Sequence, residues 1–349
     1  MDYEKVFEYI KYVFDDVNDE FKTAQYMKMF SLHMITSTAS VLGMIDRLPK
    51  QPILDFVMSC YDERTKLFSA YFGGDGHILY TFNALTTLLT LNSLDLVKEI
   101  AFDLKSGIQA LQHEFGYYGD LILFELDSRF TMSAVGSLYI LKNHFKNQTL
   151  FLSESEQTHI LTALLNQMNP DGGFGASIGQ ESHAANLYCA LGSIKMMNKL
   201  SHIPSLVMNK IRFYLIQRQT ASGGFNGRPE KQQDTCYVNW CGVPLKILGL
   251  KFAEEQLKKF VLSCQDGGFA DRPEDEVDLF HTHFCCLYLM EDKVERVLSG
   301  SSRGMGLRLF GLSKLLINSS ICMLTNNGQF VGPVRTVRDN QTNISETES

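Results

Sequence analysis

Five copies of one short pattern, spaced about fifty residues apart, constrain this 349-residue chain more than any other feature. "DGGFGASIGQESHAANLYC", "SGGFNGRPEKQQDTCYVNW" and "DGGFADRPEDEVDLFHTHF" share a frame. Each has Gly-Gly-Phe, then a loop of glycine, proline and polar residues, then a carboxylate or imidazole nine residues after the ring. The pairs are Phe174 with His183, Phe225 with Asp234, and Phe269 with Asp278. Two weaker copies fit the same ruler, Phe68 with His77 and Tyr118 with Asp127, so successive anchors lie 50, 56, 51 and 44 residues apart. Between the loops, "SHAANLYCALGSIKMM", "LVMNKIRFYLI" and "EEQLKKFVLSC" place apolar residues three and four apart, the helical period. Each unit reads as a loop, an inner helix, a turn and an outer helix, and Pro244 is expected to kink one of them. The expected fold is all-α: an α-α barrel (toroid) of about six helix-pair repeats joined by Gly-Gly-Phe loops. It would occupy residues 1–330 as a single domain, with a polar, disordered tail at 331–349.

The ruler matters because of what it aligns. The residue nine after each anchor, and the one three later, fall on the first turn of an inner helix. At one rim these are His77 and Tyr80, Asp127 and Phe130, His183 and Asn186, Asp234 and Tyr237, Asp278 and His281. Capping explains any one of them alone. Together, helix N-termini there would supply positive potential and free N–H donors, which favour an anion. Asp234, Cys236 and His281 are a carboxylate, a thiolate and an imidazole, all acceptable zinc ligands. The pattern is weak by itself, but the repeat puts these residues on equivalent turns of adjacent units. Three protein ligands leave a fourth position open, the arrangement of a catalytic zinc. Arg228 and Lys231 in "GRPEK", with Tyr237 and with His183 one repeat back, suit a diphosphate. A solvated charge cluster is the plainer reading of "RPEKQQ". Trp240, the single tryptophan, lies one helical turn after Cys236.

Composition excludes other classes. A net charge of -7 argues against a nucleic-acid surface. No run of 18 apolar residues exists, so no transmembrane segment is expected, and "MDYEKVFEYI" lacks the basic-then-apolar order of a signal peptide. Eight cysteines, with Cys285 and Cys286 adjacent, read as reduced core thiols of a cytoplasmic protein. In that compartment the Asn-x-Ser/Thr patterns at Asn340 and Asn343 carry no meaning. "DDVND" at Asp15, Asp16 and Asp19 has the Asp-Asp-x-x-Asp form of a magnesium-diphosphate motif. With no second such motif, it reads as a solvated helix start.

From about Tyr26 to Thr282 the chain resembles the β subunits of protein prenyltransferases, with the Rab geranylgeranyltransferase type nearest. The likeness is densest in "DGGFGASIGQESHAANLYC", "SGGFNGRPEKQQDTCY" and "SCQDGGFADRPEDEVDLFHT". It implies an α-α barrel with a funnel-shaped lipid cavity, working as a heterodimer with a helical-repeat α subunit. It also implies zinc on Asp234, Cys236 and His281, and diphosphate on His183, Arg228, Lys231 and Tyr237. Asp271 matches a carboxylate tied to magnesium use, and Trp240 an aromatic that contacts the isoprenoid. The implied reaction is geranylgeranyl transfer from geranylgeranyl diphosphate to C-terminal cysteines of a Rab GTPase presented by an escort protein.

Two departures stand out. Phe30 falls where geranylgeranyl enzymes carry a small residue and farnesyl enzymes Trp, while nearby Met34 replaces an aromatic. Both bear on lipid length, and farnesyl or geranylgeranyl transfer to a CaaX cysteine is the alternative. After "FHTHF" the likeness lapses through "EDKVERVLSGSSRGMG" and resumes at "LFGLSKLLINSSICML". Outside this class, a non-catalytic helical-repeat scaffold would leave the Asp/Cys/His trio unexplained. A terpene cyclase on the same architecture would need an Asp-x-Asp-Asp cluster, which is missing.

Overall fold

The computed structural model describes residues 1–16 and 25–290. Asp19, the divergent segment after Met290 and the 331–349 tail therefore lie outside the described residues.

Six inner and six outer helical segments alternate along the described chain. The outer set is α1 (Tyr3–Asp16), α3 (Lys50–Ser59), α5 (Ala101–Ala110), α7 (Glu154–Leu165), α9 (Ser205–Ile216) and α12 (Glu254–Ser263). The inner set is α2 (Lys28–Leu42), α4 (Ile78–Thr90), α6 (Ser128–His144), α8 (Ala184–Met196), the broken pair α10 (Tyr237–Trp240) and α11 (Gly242–Ile247), and α13 (Leu279–Leu289). Sequence separates the two sets. Inner helices such as α2 are apolar or hydroxyl-bearing on every face and almost wholly buried, whereas α12 buries only Leu257, Phe260 and Val261. On the outer layer, Ser153 and Glu156 close a reciprocal capping box that starts α7.

The ring closes. α2 packs on α4, α4 on α6, α6 on α8, α8 on α10, α10 on α13, and α13 returns to α2. That last seam is partly polar: Thr38 Oγ1 meets His283 Nδ1 at 3.1 Å, and the His33 and His283 rings lie 5.7 Å apart. The expected α-α barrel is thus observed, and its inner wall is complete by Leu289. The break between α10 and α11 falls at Cys241, where Pro244 has no N–H to give the Trp240 carbonyl, so the expected kink is present.

The Gly-Gly-Phe loops are short hairpins whose ring is sealed inside: Phe68, Phe174, Phe225 and Phe269 are fully buried. The first glycine of each full copy has a left-handed backbone (Gly172 φ 89°, Gly223 φ 95°, Gly267 φ 73°), which glycine adopts without steric cost. In four units the residue nine later donates its N–H to the anchor carbonyl, from His77, His183, Asp234 and Asp278. The Tyr118 copy needs correction. The sealed ring there is Tyr117, paired with Gln112 as Phe68 is with Tyr61, and it stands ten residues before Asp127. The extra residue is accommodated in the exposed turn Leu121–Phe124, where Phe124 takes φ 52° and Asp120 accepts from Ile122 and Leu123 N–H.

A second regularity has no sequence signature. The carbonyl two residues after each anchor accepts an N–H from the start of the preceding inner helix or, for Thr235, from the turn just ahead of it. The links are Met29 to Ala70 (3.1 Å), Ile78 to Gly119 (2.9 Å), Ser128 to Ala176 (3.0 Å), Ala184 to Gly227 (2.9 Å) and Thr235 to Asp271 (2.9 Å). This belt ties each rim loop to its neighbour.

Candidate functional site

Four of the positions nine or ten residues after an anchor cap inner helices directly, and Asp234 stands three residues ahead of α10. His77, Asp127, His183 and Asp278 are N-caps whose side chains accept from their own first turns, and Asp234 accepts from Cys236 N–H at 2.7 Å. The expectation of free N–H donors is narrowed, because the amides next to His77, Asp127, His183 and Asp234 are in use. The first amide of α4, α6 and α8 is taken by the belt and the next by the cap, and ahead of α10 the Thr235 and Cys236 amides are taken in the same way.

Asp234, Cys236 and His281 converge as expected. One ligand atom from each lies within 4.8 Å of the others, although Asp234 and Cys236 precede α10 and His281 lies in α13. His281 Nε2 is 3.2 Å from Asp234 Oδ1, and its Nδ1 is 2.6 Å from Asp278 Oδ2. The Asp278 carboxylate accepts the Nδ1 proton, so a neutral His281 presents the Nε2 lone pair toward Asp234. Burial opposes charge on His281, but Asp278 and Asp234 outweigh it and raise its pKa well above the imidazole range. Burial likewise works against the Asp234 carboxylate, which His281 and the Cys236 amide nevertheless hold below its ordinary value. Burial, aided by Asp234, pushes the Cys236 thiol up. Asp271 lies beside this trio. Burial and then the Asp234 charge push its carboxyl up to about 6, and its carboxylate is 3.2 Å from Arg272.

The cationic set is only partly assembled. His183 Nε2 is 3.0 Å from the Tyr237 hydroxyl. Because Nδ1 accepts from Ala185 N–H, a neutral ring carries its proton on Nε2 and donates it to the phenol oxygen. Burial, with help from Arg228, lowers His183 to about 4, so the ring is neutral at pH 7. The Tyr237 hydroxyl proton is then available to a ligand. Gly227 permits this approach, since a Cβ there would lie 2.4 Å from Tyr237 Oη. Arg228 pairs with Glu181 of the preceding rim loop, so an anion must compete for it. Lys231 is exposed and has no side-chain partner among the described residues.

Trp240 is buried against Tyr237, Phe280 and Phe284, with ring centroids 5.3, 5.8 and 5.6 Å away. Phe30 is buried on α2, on the far side of α13, and does not share a helix seam with Trp240. Phe82, Tyr188 and Phe284 on the inner helices are buried as well.

Two residues of the site were not singled out by the sequence. Glu181 is one. Arg129 is the other, paired with Asp127 at 2.7 Å and close enough to act on both His77 and His183. Arg129 stands two residues after a ruler position, as Cys236 does, and that offset is the signal for it.

The prenyltransferase α-α toroid domain profile matches residues 1–309. The chain belongs to the prenyltransferase family. It is 34% identical over 273 residues to the geranylgeranyl transferase type-2 subunit beta of Saccharomyces cerevisiae, covering 76% of this chain and 82% of that one. The Candida albicans type-2 subunit beta is 32% identical, covering 71% and 74%. Among solved structures, Candida albicans protein geranylgeranyltransferase-I complexed with GGPP aligns with a TM-score of 0.69 at 18% identity, covering 83% and 90%. At that identity the match speaks for the fold. The chain is thus a prenyltransferase homologous to protein geranylgeranyltransferase β subunits, with type II best represented, and the resemblance read from the sequence is borne out. No helix among the described residues is long and apolar enough to cross a membrane.

Proposed function

We propose that this prenyltransferase is the catalytic β subunit of a zinc-dependent, cytoplasmic Rab geranylgeranyltransferase, paired with a helical-repeat α subunit. Its acceptor would be a Rab-type GTPase presented by an escort protein. The observation that carries the reading is the convergence of Asp234, Cys236 and His281 from two adjacent repeat units, with His281 hydrogen-bonded to Asp278. One carboxylate, one thiol and one imidazole, buried or nearly so, are a donor set that fits zinc. Zinc bound there would supply a Lewis acid that keeps an acceptor cysteine deprotonated near neutral pH.

The chain's own residues would do the rest. The Tyr237 hydroxyl, held by neutral His183, donates to the diphosphate. Lys231 and Arg228 neutralise it as it departs, Arg228 exchanging Glu181 for phosphate oxygens. Asp271, a carboxylate beside the trio, would be a ligand for magnesium if that ion accompanies the diphosphate. Trp240 and Phe30, both buried on inner-wall elements, would flank the isoprenoid.

Elemental analysis of the purified complex tests this directly, with one zinc per chain expected. Single-turnover transfer from labelled geranylgeranyl and farnesyl diphosphates to a Rab with its escort, set against a CaaX substrate, then fixes lipid and acceptor. A folded complex without zinc would sink the proposal. Asp278→Asn keeps the cap but weakens the hold on His281 Nδ1, and should reduce zinc affinity about 10- to 100-fold in a chelator competition.

A further inference from the structure

The residue between the two candidate ligands on the α10 side, Thr235, is wholly buried and bonded twice to the next unit. Its N–H donates to the Asp271 carbonyl at 2.9 Å and its hydroxyl to the Ala270 carbonyl at 2.8 Å. The equivalent belt positions do not double the link. Ile78 and Ala184 have no side-chain donor, and the Ser128 hydroxyl goes instead to Asn186 Oδ1 at 3.1 Å. Local support for Asp234 and Cys236 is also thin, because α10 is only four residues long before the break at Cys241. Behind the ligands, Asn239 Nδ2 donates to the Phe284 carbonyl of α13 at 3.0 Å; at the ligands themselves the tie across the seam is the one Thr235 makes to the loop Ala270–Asp278, which leads into α13.

We propose that Thr235 is a positioning residue for the metal site: its hydroxyl holds Asp234 and Cys236 in register with His281 across the seam between units. This rests on the zinc reading above. The physical reason is that a tetrahedral site tolerates donor displacements of only a few tenths of an ångström, and no helical ladder spans the two sides. A threonine serves here because it supplies a second, directional bond from the same residue, whereas a backbone link alone leaves the strand free to pivot.

Thr235→Val removes the hydroxyl, nearly keeps the volume and retains the backbone link. In the full-length chain, zinc affinity measured against a chromophoric chelator should fall about tenfold. The cobalt-substituted protein should show a shifted thiolate-to-metal absorption band. Thr235→Ser, which keeps the hydroxyl, should behave as wild type in both assays. Wild-type affinity and an unshifted band in the valine variant would overturn the proposal. So would a valine variant whose metal-free form melts earlier while its affinity and spectrum stay intact, because that is a packing role. If Thr235→Val does not fold, loss of affinity in Thr235→Ser would overturn it, and retained affinity would support it. A wild-type chain that takes up neither metal fails the zinc reading itself, and the wild-type arm registers that separately.

Discussion

His281→Ala should leave the chain without zinc and lower transfer by on the order of a thousandfold or more. The residue supplies the only candidate donor from α13 in the Asp/Cys/His trio, so removing it leaves two donors, both from the short segment before α10. Two ligands do not enclose a tetrahedral ion. The variant also strands Asp234, whose nearest cationic partner is His281 at 3.2 Å. That part of the effect is modest, because the Asp234 side chain keeps a quarter of its exposure and water can screen it. The expected outcome is a folded complex, judged by circular dichroism and α-subunit pairing, with zinc near zero by elemental analysis. Full zinc occupancy in His281→Ala would place the metal elsewhere.

Trp240→Ala should cost about 3–5 kcal/mol of stability, a large share of the 5–15 kcal/mol a typical domain has. Trp240 heads the fully buried side chains by volume and packs against rings from α10 and α13, so truncation opens a cavity at the seam that carries the site. Trp240→Phe should recover most of the loss, since the indole N–H has no hydrogen-bond partner among the described residues and nothing polar is forfeited. Chemical denaturation followed by far-UV circular dichroism is the measurement, because the only tryptophan is the one removed. A midpoint unchanged in the alanine variant would mean that the Trp240 contacts carry no net stability.

Side-chain chemistry repeated at a fixed spacing is legible in the sequence itself. Phe174, Phe225 and Phe269 mark the hairpins, and the ruler then puts Asp234, Cys236 and His281 on facing turns. The Tyr118 anchor fails by one residue because an exposed turn absorbs an insertion, and a ruler cannot distinguish adjacent tyrosines. The belt leaves no trace in residue types, since carbonyls of Gly119, Ala176, Gly227 and Asp271 do the bonding. For that reason the sequence suggests free amides where α4, α6 and α8 have none at the first helical position. The pairing of Arg228 with Glu181 is hidden for a different reason: exposed ion partners follow from three-dimensional proximity, and "GRPEK" says nothing of a loop 47 residues earlier.

The meeting of α13 with α2 has a consequence for how the molecule is made. Thr38 and His283 are 245 residues apart, so the ring stays an open crescent until almost the whole described chain has left the ribosome. Until then α2 and α10 each present an apolar flank with no neighbour. His281 arrives on α13, the last stave among the described residues, so closing the ring and completing the ligand set are one event. A nascent chain that stalls before Leu279 would be both unclosed and metal-free, a species for chaperones to hold. Such long-range closure is slow by the ordinary relation between contact separation and folding rate.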